Sequence, residues 1–223
     1  MTLQPDFAQD PEERFDIVTS DGRPTGQTKA RRDVHRDGDW HRSIHVWVYG
    51  IAAAQPFILM NQRGLDKDTW PGVLDATVGG HLSAGETVGD AYREIEEEIG
   101  ITADPARMQW VGTRLCSAES VPGIIDRELQ EVFLYRDDRQ LAEYRPNPAE
   151  LEGLIQVSLA DALTLFAGEV SEVPGTILHS RARTAEPFTI SQENLLPVRI
   201  DRYFLRVAVA ILRTLRHDRY VVL

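Results

Sequence analysis

The chain has 223 residues, a formal net charge of −11 and 42% hydrophobic residues. That length and apolar content suit one domain with a core of its own, and the acidic balance disfavours broad electrostatic binding to nucleic acid. The single cysteine, Cys116, excludes a disulfide framework within the monomer, no apolar run of about 18 residues is present, and the N-terminus does not read as a signal peptide, so a cytoplasmic protein without a membrane partner is expected.

Residues 1–14 are polar, with two prolines, and read as a loose arm. Residues 15–18 read as a short strand, 21–26 as a turn and 28–34 as a short helix. The stretch 43–54, rich in Ile, Val, Trp and Tyr, reads as a core strand that turns at Gln55-Pro56 and returns over 57–63 as a hairpin. A loop over 64–72 leads to a strand over 73–78. Val88, Ala91, Tyr92, Ile95 and Ile99 recur at helical spacing, so a helix starts at Glu86 or Thr87 and is capped by Gly100. Strands follow over 108–115, 128–136 and 151–157, then a helix over 159–166. Residues 171–189 read as a long loop. The stretch 201–216 carries an apolar stripe at helical spacing, either packing on the core or forming a homodimer contact. Strands around one helix, with a second helix on the other side, suit an α/β fold, an α/β/α sandwich with a mixed sheet.

The helix at 86–100 is chemically odd. Glu94, Glu97 and Glu98 are three and four residues apart, so like charges are neighbours, and only Arg93 lies beside them. At contact distances each pair repels by roughly 1 kcal/mol in water and by more at lower dielectric. A solvated acidic face explains this blandly. Three carboxylates around a hard cation such as Mg²⁺ explain it better after a Thr-Val-Gly-Gly turn, where backbone approaches closely.

Residues 80–101 closely resemble the Nudix box, the signature of hydrolases acting on a nucleoside diphosphate linked to another moiety. Gly80, Glu86, Arg93, Glu94, Ile95, Glu97, Glu98, Gly100 and Ile101 match that pattern, except that six residues rather than seven separate Glu86 from Arg93. The resemblance implies one Nudix domain over 1–223, with a core of about 42–168, an N-terminal strand or hairpin extension over 1–41 and a C-terminal helical extension over 190–223. It implies a pyrophosphohydrolase binding Mg²⁺ or Mn²⁺ through Glu94, Glu97, Glu98 and the Gly79 carbonyl, with Glu97 as general base, Glu128 or Glu131 in reserve, and Arg93 orienting a glutamate. The shortened loop is expected to leave Glu94, Glu97 and Glu98 in place. Substrate identity lies outside the box, and 117–127 and 171–190 are the segments expected to set it.

The stretch from Asn61 to Asp75 resembles the branch that contains isopentenyl diphosphate isomerase and related hydrolases. There the residues matching Arg63 and Lys67 hold the substrate diphosphate; ordinary surface charge is the blander reading. Trp70 reads as a packing residue. His35, His41 and His81 match metal-binding histidines of the isomerases, and Glu128 matches an acidic ligand. A second, His-rich site would suit Mn²⁺ or Zn²⁺; without it, His35 and His41 are surface loop residues. Asp126, Glu128 and Gln130 share one strand face. The isomerases' catalytic cysteine falls at Gly79, so isomerase activity is disfavoured, and Cys116 lies on another strand. A hydrolase is the expected function, with a non-catalytic ligand-binding domain as the alternative.

Overall fold

The computed structural model describes residues 10–67, 69–197 and 201–223. The sheet is anchored on β3 (Trp40–Ala52), whose residues 43–50 are buried without interruption. Such a run belongs to a strand covered on both faces. β3 runs parallel to β8 (Ile124–Arg136), in register from Trp40 opposite Arg127 to Tyr49 opposite Arg136. It runs antiparallel to β4 (Gln55–Arg63), the expected hairpin partner, and to β6 (Val78–His81), which leads into the box. Before them, β1 (Arg14–Val18) and β2 (Pro24–Ala30) form a hairpin at one margin. The short β5 (Leu74–Asp75) pairs with β4, and β7 (Met108–Val121) pairs with β8. On the other side of β4 follow β9 (Leu151–Ser158), β10 (Glu172–His179) and β11 (Ala185–Ser191).

Alternation along β3 sorts its side chains into two cores. Ile44, Val46 and Val48 pack with Ile95 and Ile99 of α2 (Arg93–Ile99). Trp47 and Tyr49 pack with α3 (Leu159–Ala167) and α4 (Tyr203–Leu215). Each fully buried Ile or Leu contributes roughly 2 kcal/mol by leaving water. The expected α/β/α sandwich with a mixed sheet is therefore the fold. The helix expected over 201–216 lays Tyr203, Phe204, Val207, Ala208 and Ile211 into the second core. Among the described residues, no helix is long and apolar enough to cross a membrane.

Five local expectations change. The turn expected at Gln55-Pro56 falls at residues 53–54, because Gln55 and Pro56 already pair with β3, and the strand expected over 73–78 is split into β5 and β6. Residues 28–30 finish β2, and the helix, α1 (Arg31–Asp37), starts later, because antiparallel pairing with β1 holds the chain extended up to Ala30. The box helix does not start at Glu86 or Thr87: a 3₁₀ turn over Asp90–Tyr92 precedes α2, and Gly100 caps it at φ 69°, where glycine is favoured. The stretch 171–189 is not a loop. It holds the β10–β11 hairpin, whose Pro174 and Gly175 lie beyond the part of β10 paired with β9, where a missing N–H and a missing side chain are tolerated. Residues 1–9 of the expected loose arm lie outside the described residues.

Candidate active site

A cavity of about 430 Å³ opens where β3, β4, β6, β7 and β8 meet α2. Its chemistry divides into three groups, beginning with the box. Glu94 and Glu98, one helical turn apart on α2, both line the cavity. Glu98 is buried, and its Oε2 has no hydrogen-bond partner. Burial pushes its carboxyl well above the ordinary range. Burial and the neighbouring Glu97 carboxylate raise Glu94 to about 7. Gly80 lies against Glu94: a Cβ there would stand 2.9 Å from its Cγ, so a side chain would push the carboxylate aside. An orphaned buried carboxylate oxygen beside a second, charge-starved carboxyl fits a hard divalent cation.

Glu97 is placed differently. Its side chain is 42% exposed and stands 3.7 Å from Arg93 Nε, away from the cavity lining. Arg93 is a hub for the box carboxylates: it donates to Glu86 and stands 3.5 Å from Glu94. Glu86 also accepts the Ser83 N–H at 2.8 Å. The loop that is one residue short is thus closed by Glu86 and by the 3₁₀ turn. Glu94 and Glu98 still share the cavity.

The second group is the histidine cluster. His35 comes from α1, His41 from the start of β3, His81 from the end of β6 and Asp126 from β8; each offers a ligand atom, all within 4.8 Å of one another. Phe15 of β1 stacks on His41 at 5.2 Å and on His81 at 4.8 Å between ring centroids. His41 Nδ1 lies 3.1 Å from the Asp39 carbonyl, which leaves Nε2 aimed into the cluster as a lone-pair nitrogen. Burial lowers the His41 pKa, and burial with the Arg31 guanidinium lowers His81 to about 3. Arg31 Nη1 donates to His81 Nδ1 at 3.0 Å, so the neutral ring carries its proton on Nε2, 2.9 Å from Glu128 Oε1. Burial alone would raise Glu128; the hydrogen bond from His81 and the neighbouring imidazoles of His81, His41 and His45 hold its carboxyl well below the usual range, and it also accepts from Ser43 and Gln130. The donor set is that of a transition-metal site, although His81 must give up its Nε2 proton to join it. His35 and His41 are buried rather than surface residues.

Arg63 and Lys67 also line the cavity, both committed to internal contacts. Arg63 donates to the Thr69 and Trp70 carbonyls at 2.9 and 3.2 Å, and Lys67 is paired with Glu150. Trp70 borders the same cavity. Glu131 accepts from Trp110 Nε1 and Thr113 Oγ1 outside the cavity lining.

The third group was not foreseen from the sequence. Arg114 of β7 donates to Gln130 Oε1 at 2.7 Å and to Asp201 Oδ2 at 2.6 Å, with its guanidinium 4.2 Å above the Tyr203 ring. Arg31 and Asp126 were missed as well. Asp126 had a signal, since it alternates with Glu128; Arg31 and Arg114 had none. Cys116 sits opposite Glu128 across the β7–β8 ladder and lines the cavity, with burial pushing its thiol to about 12.

The NUDIX domain family model matches residues 39–174. The chain belongs to the Nudix family. It is 40% identical over 125 residues to Nudix hydrolase 3 of Arabidopsis thaliana, a match covering 55% of this chain but 16% of that protein. It is 30% identical to an uncharacterised Nudix hydrolase of Clostridium acetobutylicum, covering 82% of each chain. An isopentenyl-diphosphate Delta-isomerase of Cutibacterium acnes is 35% identical over 67% of this chain and 75% of its own length, in line with the branch expected from residues 61–75. Among solved structures, the MutT protein of Methanosarcina mazei superposes with a TM-score of 0.51 at 16% identity, covering 78% of this chain and 96% of that one. That likeness speaks for the Nudix fold. The relatives it matches are named Nudix hydrolases and isopentenyl-diphosphate isomerases.

Proposed function

We propose that this Nudix protein is a divalent-metal-dependent hydrolase that cleaves the diphosphate linkage of a nucleoside diphosphate derivative or another organic diphosphate. The observation that carries the reading is the unpartnered, buried Oε2 of Glu98 beside Glu94 in the cavity. Glu94, Glu98 and the Gly79 carbonyl would hold Mg²⁺ or Mn²⁺, and Glu97 would have to turn in from outside the lining to join them. When bound, such a cation neutralises phosphate charge and lowers the pKa of a bound water.

The chain's own residues supply the rest. Glu97, outside the buried pair, takes the proton of the attacking water as general base. Arg93, within reach of both Glu94 and Glu97, orients them. Arg63 and Lys67 clamp the far phosphate, Arg63 in a bidentate manner and Lys67 as a point charge once it exchanges Glu150 for substrate. The His35, His41, His81, Asp126 and Glu128 group is proposed as a second cation site, suited to Mn²⁺ or Zn²⁺. Isomerisation is disfavoured because Gly79 offers no nucleophile, and the Cys116 thiol is held protonated by burial.

The test is Mg²⁺-dependent release of a monophosphate from a panel of organic diphosphates. Glu98→Gln should lower the rate at least about a hundredfold, the scale of losing a principal charge-stabilising contact. Full activity in both Glu97→Gln and Glu98→Gln would overturn the reading.

A further inference from the structure

His45 is not assigned by the box or by the histidine cluster, yet it lines the cavity from the middle of β3. Along this face of β3, His41, Ser43, His45 and Trp47 point the same way, since alternate residues of a strand share a face. His41 serves the cluster and Ser43 donates to Glu128. His45 is the next step down.

Its tautomer follows from hydrogen-bond accounting. Trp47 Nε1 has a proton and no lone pair to offer, and it donates to the Tyr203 hydroxyl at 2.9 Å. The Tyr203 side chain is completely buried, so its own proton needs an acceptor. His45 Nδ1, at 3.0 Å, provides it. Nδ1 is then the lone-pair nitrogen, and a neutral ring must carry its proton on Nε2. An imidazolium would turn Nδ1 into a donor and leave the buried Tyr203 proton unmet.

Nε2 faces the backbone of Gly79, which pairs with His45 across the β3–β6 ladder. A Cβ on Gly79 would stand 3.6 Å from Nε2 and would begin to cover it. Glycine there leaves the N–H open to the cavity, near Asp75, Arg63, Glu128 and Arg114. The lock has a chemical consequence. A histidine with a free Nε2 lone pair, set between two carboxylate-rich groups, would join in binding a cation. One with Nε2–H cannot, and it presents a donor to an oxygen instead.

We propose that His45 is a substrate-contacting residue, locked by Tyr203 and Trp47 as the Nε2–H tautomer, which donates a hydrogen bond to a phosphoryl oxygen of the bound diphosphate beside Gly79. It rests on the diphosphate reading above and adds a residue that selects for an acceptor oxygen at this point. Tyr203, which touches His45 from α4, is a positioning residue.

The test uses the full-length chain with ¹⁵N-labelled histidine and methylenediphosphonate, a diphosphate that cannot be hydrolysed, in the presence of Ca²⁺. The expected spectrum shows His45 as a neutral ring protonated on Nε2, and the probe shifts that N–H. Tyr203→Phe should mix the two tautomers. His45→Ala should weaken probe binding by about tenfold or more, the scale of a hydrogen bond to a charged group. His45→Gln, which keeps a neutral donor, should recover most of it. An Nδ1-protonated ring, or unchanged probe affinity in His45→Ala, overturns the proposal. Binding that depends on His45 without hydrolysis of any diphosphate would sink the hydrolase reading alone. Hydrolysis that needs Glu98 but a probe indifferent to position 45 would sink the His45 proposal alone.

Discussion

Replacing Glu94 by Gln should stabilise the metal-free protein at neutral pH. Glu94 titrates near 7 in the fold, against 4.5 for an ordinary glutamate, because burial and then Glu97 oppose its charge. The folded state therefore holds a proton that the unfolded state has lost, and stability falls as pH rises from about 4.5 to about 7. The gap of two to three units corresponds to about 3 kcal/mol lost by the time Glu94 is fully ionised. The side chain is only 19% exposed, so solvent screening removes little of this. Gln keeps the shape and never ionises. In EDTA at about pH 8, Glu94→Gln should thus exceed the parent by about 3 kcal/mol in denaturant unfolding, or by roughly 6–12 °C in melting temperature. The difference should vanish at about pH 4 and shrink when Mg²⁺ is restored, since a bound cation compensates the charge of the parent. A Glu94→Gln protein no more stable than the parent at the upper pH, or a difference that grows on acidification, would refute the reasoning.

Other outcomes follow from the same geometry. Cys116, with its thiol near 12, should resist iodoacetamide in the native protein and react at the ordinary rate in denaturant; fast native alkylation would show that the thiol is not held protonated. His41→Ala should remove one equivalent of bound Mn²⁺ or Zn²⁺ per chain, measured by metal analysis after dialysis; an unchanged stoichiometry would dismiss the second cation site. Ser158→Ala should cost about 1 kcal/mol in unfolding, because Ser158 Oγ accepts the Asp161 N–H at 3.0 Å at the start of α3. No loss on that substitution would mean that the cap is redundant.

The central strands were legible because β3 and β8 combine β-branched and aromatic residues with burial on both faces. The start of α3 falls at residue 159, as the sequence suggested. The box helix was legible in its second half. Its first turn was not, because a loop one residue short forces a 3₁₀ turn where spacing alone suggests α-helix. The hairpin over β10 and β11 was hidden by Pro174 and Gly175, residues that read as loop until the extent of strand pairing is known. In the site, residues on motifs or strand alternation were readable, such as Glu94, Glu98, His81 and Glu128. Arg31 is surface-like in sequence and becomes buried by packing against Phe15 and His81. Arg114 and Asp201 are 87 residues apart, and nothing local links them.

The parallel pairing of β3 with β8 also sets when this site comes into being during folding. Ser43 and Glu128, hydrogen-bonded neighbours in the cavity, are separated by 85 residues. A parallel ladder closed across such a span is formed late and slowly, since its loop entropy precedes its reward. Until it closes, His41 and Ser43 lie on one part of the sheet and Asp126 and Glu128 on another, held in the β7–β8 hairpin. A cation arriving early would find no assembled ligand set. Metal affinity is thus an indicator of completed sheet assembly, and refolding followed by metal uptake should lag behind refolding followed by helix content.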